Sequence, residues 1–302
     1  MRFILLFFFF GLFSYSAFCE KDKEIIVVID AGHGGKDPGN LAHTSSLLPE
    51  KDINLKIALF LGGYIEKYLK NVRVVYTRRN DVYPSLDERV QKANSINADY
   101  FISIHCNGND RKSVRGTETH VHSMHLTKSV AFAKEIERQF SSRAGRKSRG
   151  VKDMKDLKHT LEVLKYTNMT SVLVECGFLS NPKEAKYLNT TYGQEIIASA
   201  IFRGFRSTIE KEYPKSSFRR KKATKNVVEK GIFRIQIMSS VQAIDVNDSS
   251  FKRLKMKVVR VKLNTTNMYK YIYTVGNYSS KKAAKLDLKK IKNRGYKDAI
   301  II

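Results

Sequence analysis

The 302-residue sequence is short of acid, of cysteine and of long apolar runs. Its 29 Asp and Glu face 55 Lys and Arg, giving a formal net charge of +26. Three cysteines cannot build the framework of a disulfide-stapled mini-protein. Past the N-terminus, no apolar stretch approaches the roughly 20 residues a membrane helix needs. The glycines do not fall in a phosphate-cradling or dinucleotide-binding spacing, and no recognised nucleic-acid-binding motif occurs.

The acid deficit is uneven. From Lys215 to Ile302 there are 23 Lys or Arg against 5 Asp or Glu, a surplus of 18. The rest of the chain is only mildly basic. Residues 3–13 are almost wholly apolar, preceded by Arg2 and followed by Ser14, Ser16 and Ala17. This is the layout of a secretory signal peptide, expected over residues 1–19 with cleavage after Cys19 or Ser16. A lipid anchor on Cys19 is the competing reading, and the bulky Phe18 before it fits that poorly. Export of so basic a chain points to an anionic partner such as wall polymer, lipopolysaccharide or acidic membrane, and away from nucleic acid.

Ile25 to Ile29 are five consecutive β-branched apolar residues, the signature of a strand buried on both faces of a parallel sheet. The run ends at Asp30, and the turn Gly32-His33-Gly34-Gly35 follows. Open α/β sheets place their ligands at such strand ends. Amphipathic helices are expected after Pro49, with Glu50 in the first turn, and from Ser85 to Asn97. Between them lies a strand over Val72–Thr77. Tyr100 to Asn107 forms a further apolar strand that delivers His105. Two strand-end histidines with a carboxylate nearby suggest a metal site.

Gly116 to His122 alternates and is expected to form an edge strand, with His120, His122 and His125 on a solvated face or near a cleft. Residues 128–142 read as a helix, and Ser141–Arg149 as a basic solvated loop. Leu157–Leu164 reads as a short strand or a turn of helix. The last core strand, Ser171 to Glu175, ends in a carboxylate that is costly to bury alone. At the histidine edge it would serve as a general base; otherwise it pairs with Arg78 or Arg89. Cys106 and Cys176 follow His105 and Glu175, so strand alternation turns them into the core as free thiols or, less simply, one disulfide.

Taken together, these pieces resemble the zinc-dependent N-acetylmuramoyl-L-alanine amidases of cell separation. The matching segments are Val28–Gly35, Glu50–Leu55, Thr77-Arg78 with Asp81, Ser103–Asn107 and Val172–Pro182, over about residues 24–212. The resemblance implies an α/β domain with a mostly parallel twisted sheet and flanking helices. It implies that His33, Glu50 and His105 hold one Zn2+ ion and that Glu175 is the catalytic carboxylate. Asp30, Arg78 and Asn107 become supports of the site or substrate contacts. The implied reaction is hydrolysis of the amide between N-acetylmuramic acid and L-alanine in peptidoglycan. Two departures stand out: no proline precedes the last core strand, where Tyr166–Thr170 run instead, and the Gly116–Ser171 interval is too short for the plugging helix of some members. No internal gate is therefore expected, and an activator partner is left unspecified.

Residues 213–229 read as a basic solvated linker. Beyond it, the pattern strand, weak helix, two strands joined by Asn264–Asn267, helix and strand resembles a SPOR domain over 230–302. The carriers are Phe233–Ile237, Tyr271–Ser280 with Ala283-Ala284, and Gly295–Ala299. This implies a small ferredoxin-like α+β module that binds glycan strands stripped of peptides, with Gln236, Tyr273 and Tyr278 on the binding face. The expectation is an exported envelope or periplasmic enzyme acting at the division site. Two other readings stay open: a zinc carboxypeptidase or endopeptidase on the stem peptide, and a non-enzymatic wall-binding protein.

Overall fold

The computed structural model describes residues 24–214, 218, 232–240, 243–263 and 270–302. The expected signal peptide, Cys19, nearly all of the basic linker and the Asn264–Asn267 turn lie outside the described residues.

The larger sheet contains β1 (Ile25–Ala31), β2 (Val72–Tyr76), β3 (Tyr100–Asn107), β4 (Thr117–His120), β5 (Ser148–Lys152) and β6 (Thr170–Phe178). Their order is β2-β1-β3-β6-β4-β5. β1, β2, β3 and β6 run parallel, β4 is antiparallel to β6, and β5 is parallel to β4. The helices of this part are α1 (Glu50–Tyr68), α2 (Leu86–Ser95), α3 (Thr127–Ser142), α4 (Met154–Leu157), α5 (Glu162–Lys165), α6 (Pro182–Leu188) and α7 (Thr191–Glu212).

Alternation along the central strands splits the core in two. Ile29, Ile102, Val172 and Val174 pack with α1, α3 and α7, while Val28, Phe101 and Leu173 meet α2 and α5. Each such fully buried side chain contributes about 1.5–3 kcal/mol of transfer free energy. Cys106 and Cys176 are buried free thiols in the first of these clusters, so no disulfide joins them. The helix expected from Ser85 begins with a reciprocal cap: Glu88 N donates to Ser85 Oγ (3.2 Å), and Ser85 N donates to Glu88 Oε2 (2.7 Å).

Two expectations need correction. β4 is not an edge strand; it is flanked by β6 and β5. Its outer neighbour begins inside the stretch read as a basic loop, because Arg146 and Arg149 are neutralised by Glu184 and Glu118 rather than by water. Of the two readings of Leu157–Leu164, the helical one holds: the segment joins two single-turn helices, α4 and α5.

The C-terminal part has a four-stranded antiparallel sheet of β7 (Phe233–Ser240), β8 (Val258–Lys262), β9 (Tyr271–Tyr278) and β10 (Ile300–Ile301), ordered β10-β7-β9-β8. Helix α8 (Lys281–Asn293) and a 3-10 turn at Ser249–Leu254 cover it. Tyr273 is fully buried, stacked on Phe251 at 5.2 Å, and its hydroxyl receives Ile244 N (2.5 Å). It is therefore a core residue and not a surface contact, since β9 alternation turns it toward the covering elements. Gln236 is half-buried and donates to Ser239 Oγ (2.9 Å); Tyr278 Oη donates to Asp287 Oδ2 (3.0 Å). The two parts touch through Tyr192 of α7 and Tyr296 (ring centroids 5.2 Å apart), and Tyr192 Oη donates to Gly295 O (3.2 Å).

Candidate metal centre

The Gly-rich turn after β1 bends sharply. His33 adopts a left-handed φ of 60°, uncommon for a residue with a Cβ. Arg89 holds it there, donating to His33 O (2.9 Å), Ala31 O (2.8 Å) and Asp30 Oδ1 (2.6 Å). Asp30 also accepts from Thr77 Oγ1 (2.7 Å) and Ser103 Oγ (2.6 Å). Burial works against its ionisation, but the Arg89 charge and these hydrogen bonds keep the carboxyl below its usual range. Arg78 braces the other side of the turn, donating to Ala31 O (2.8 Å), Gly32 O (2.9 Å) and Lys51 O (2.8 Å). Neither arginine pairs with Glu175; both fasten the turn to its neighbours.

Three side chains meet at this edge. Glu50 Oε1 lies 3.2 Å from His33 Nε2 and 3.0 Å from His105 Nδ1. The same oxygen accepts from Cys106 N (2.9 Å) and Asn54 Nδ2 (3.2 Å); Oε2 accepts from Asn40 N (2.8 Å) and Nδ2 (2.9 Å). Glu50 is 1% exposed, yet no Lys or Arg pairs with it in this set. Burial opposes its charge, but hydrogen bonds from His105 and His33 outweigh that and hold it well below the ordinary carboxylate range. Burial also opposes a charged His33, while Glu50 and Asp37 lift its pKa to about 8. Asp37 Oδ2 sits 2.7 Å from His33 Nδ1, the carboxylate–histidine arrangement that orients metal-binding imidazoles.

The donor set fits zinc. One ligand atom each from His33, Glu50 and His105 lies within 4.8 Å of the others. Two imidazoles and a carboxylate are the ligands of hydrolytic zinc sites, which keep a fourth position open. Space is shaped around them as well: a Cβ at Gly32 would come within 2.1 Å of His105 Nε2, and one at Gly39 within 2.7 Å of Glu50 Oε2. Among the described residues no other group of three His, Cys, Asp or Glu converges this way. His120 is buried and its Nε2 lies 3.2 Å from Glu118 Oε2, so it is not on a solvated face, whereas His122 is half-buried and His125 exposed.

Glu175 stands beside His105 in the β3–β6 register and beside Glu118 in the β6–β4 register. Its Oε2 is buried with no hydrogen-bond partner among the described residues. Burial, then the charges of Glu50 and Glu118, push its pKa well up. A carboxylate with raised proton affinity at this edge suits a proton acceptor working near neutral pH. Glu118 is held ionised instead: although burial opposes it, His120, Lys152 (2.8 Å) and Arg149 bring its pKa to about 2.

Asn107 Oδ1 accepts from Gly108 N (2.8 Å), and its carbonyl accepts from Leu179 N (2.8 Å). Asp37, Asn40, Arg89 and Glu118 are the members that sequence reasoning missed as site residues. The turn signal Asp37-Pro38-Gly39-Asn40 marks the first two. Nothing in the local pattern singles out Arg89 or Glu118, whose partners are remote in sequence.

The N-acetylmuramoyl-L-alanine amidase family model matches residues 27–207. The chain is 36% identical over 179 residues to N-acetylmuramoyl-L-alanine amidase LytC of Bacillus subtilis, covering 59% of this chain but 34% of that protein. It is 31% identical over 243 residues to the probable N-acetylmuramoyl-L-alanine amidase AmiB of Haemophilus influenzae, covering 67% of this chain and 55% of that one. It thus spans between about a third and just over half of these two relatives. An N-acetylmuramoyl-L-alanine amidase crystal structure from Clostridium difficile 630 superposes with a TM-score of 0.59 at 33% identity, over 63% of this chain and 98% of that one.

Proposed function

The chain belongs to the N-acetylmuramoyl-L-alanine amidase family, and from that premise we propose that it hydrolyses the amide between N-acetylmuramic acid and L-alanine in peptidoglycan. The observation that carries this reading is the meeting of His33, Glu50 and His105, with Glu175 in register beside His105. Residues 24–212 would form the catalytic domain. His33, Glu50 and His105 would hold one zinc ion, whose Lewis acidity polarises a carbonyl and lowers the pKa of water.

The remaining chemistry falls to the chain's own groups. Glu175, with no competing hydrogen bond on Oε2 among the described residues, takes the proton of the attacking water and returns it to the departing amine nitrogen. Asp37 fixes the ring of His33, and Asn40 fixes the carboxylate plane of Glu50. Asp30, Arg78 and Arg89 hold the turn that carries His33. Residues 230–302 would act as the SPOR-like wall-binding module, with Gln236 and Tyr278 on glycan strands. Residues 1–19 would direct export to the envelope, where the enzyme serves wall remodelling and division. The Gly116–Ser171 interval carries β4, α3, β5, α4 and α5, with α3 packed on α7, and this reading includes no internal gate.

The test is a digest of purified peptidoglycan by the full chain without any partner, read by mass analysis. Free stem peptides beginning at L-alanine are expected, lost with a chelator and restored by zinc. Glu175→Gln should lower turnover by about 10²–10⁴ while zinc content is unchanged. Cuts within the stem peptide would point instead to a zinc peptidase, and undiminished activity of the variant would remove Glu175 from the chemistry.

A further inference from the structure

A cleft of about 810 Å³ lies where the loop before β5 and helix α6 face the C-terminal part. Eight cationic side chains line it against a single carboxylate, Glu184. That carboxylate is already engaged: it pairs with Arg146 and accepts from Gly116 N (3.1 Å) and Phe178 N (2.8 Å). Six of the cations, Arg115, Lys147, Lys183, Lys186, Arg253 and Lys297, have neither an acidic partner nor a side-chain hydrogen bond among the described residues, while Arg294 donates to Leu254 O. Four come from the larger part and two from the C-terminal part, so the charge is assembled only by docking the two. The floor is fixed: Tyr187, Tyr192 and Tyr296 pack in series at 6.4 and 5.2 Å, with Arg146 over the Tyr187 ring. Like charges gathered in a concavity with no internal counter-ion attract anions strongly.

The position selects the anion. Glu184 ties the cleft wall to Phe178, the last residue of β6, three residues beyond Glu175. Arg146 Nη2 would lie 3.0 Å from a Cβ at Gly177. The cleft wall is thus hydrogen-bonded to the strand that bears the proposed proton carrier. A wall polymer cut at that edge carries its carboxylates on the stem peptide and little charge on the sugars. We propose that the cleft binds the carboxylates of the acidic stem peptide, a subsite built jointly by both parts of the chain. This rests on the amidase reading above.

Lys186 and Arg253 are exposed, so reversing them leaves the core intact. The probe is a synthetic stem tetrapeptide with free carboxylates, titrated calorimetrically into the full chain alongside its carboxamide form. The wild type should bind the free-acid peptide about tenfold more tightly than the carboxamide, with the difference shrinking as salt is raised. Lys186→Glu with Arg253→Glu should abolish the preference. Equal binding of both peptides, a preference that survives the double reversal, or inorganic polyphosphate binding more tightly than the acidic peptide would each overturn the proposal. Muropeptide hydrolysis is followed in parallel. Peptide preference without hydrolysis would remove the amidase reading while leaving the subsite, and hydrolysis without preference would remove the subsite alone.

Discussion

Asp30→Asn separates a structural ion pair from an incidental one. Asp30 is 1% exposed and its Arg89 partner 2%, with Nη1–Oδ1 at 2.6 Å. The substitution keeps the shape, and the Ser103 hydroxyl can turn to accept from the new amide. What it removes is the one carboxylate paired with this buried guanidinium among the described residues. Breaking one half of such a pair costs about 3–5 kcal/mol, a large part of a typical folding free energy. For a unit of this size that is roughly 6–20 °C in Tm. Urea denaturation of zinc-free protein at pH 7 measures it. Because the folded Asp30 titrates below its ordinary value, its contribution is full above that value and lost as pH falls through the native one; the two proteins should converge in acid. Burial makes the difference insensitive to salt. Since Arg89 also holds His33 O, zinc affinity by chelator competition should fall about 10–100-fold. Adding Arg89→Met should cost less than the two single losses summed. A loss under about 1 kcal/mol for Asp30→Asn would refute the argument.

Gly32→Ala should cut zinc affinity at least about tenfold with little change in helix content, because a Cβ would lie 2.1 Å from His105 Nε2; affinity matching wild type in the same chelator competition would contradict it. His33 carries a proton up to about pH 8 in the zinc-free protein, and that proton must leave before the nitrogen can bind metal. Zinc affinity should therefore rise with pH up to about 8 and level off above, in calorimetry across that range. Glu195 is buried, its Oε1 has no hydrogen-bond partner among the described residues, and burial raises its pKa well above the ordinary value. Its unfolded form ionises first as pH rises, so wild-type stability falls above that ordinary value; Glu195→Met should gain about 1–3 kcal/mol at pH 7 and less at pH 4 in urea melts.

The legible parts of this chain were those in which pattern and element coincide. The β-branched run Ile25–Ile29 and the run Tyr100–Asn107 could be little else than buried strands, and each announced its terminal histidine. The segment Tyr271–Val275 shows the limit, since alternation marked a strand but not which face α8 would cover, and Tyr273 went to the core. Ser148–Lys152 hid a strand because its charges looked solvated, when Glu118 sat opposite to neutralise both Arg149 and Lys152.

Local sequence, then, determined the strands, the turn and the histidines at their ends, because backbone preference and hydrophobic period act over a few residues. Only the tertiary structure decided that Glu50, 17 residues after His33 and 55 before His105, would enter the same few ångströms as both. It also decided that Arg89 would clamp the turn and that Glu175 Oε2 would have no hydrogen-bond partner among the described residues. Those outcomes depend on helix crossovers and sheet order, which bring distant side chains into contact and remove the water that would otherwise separate their charges.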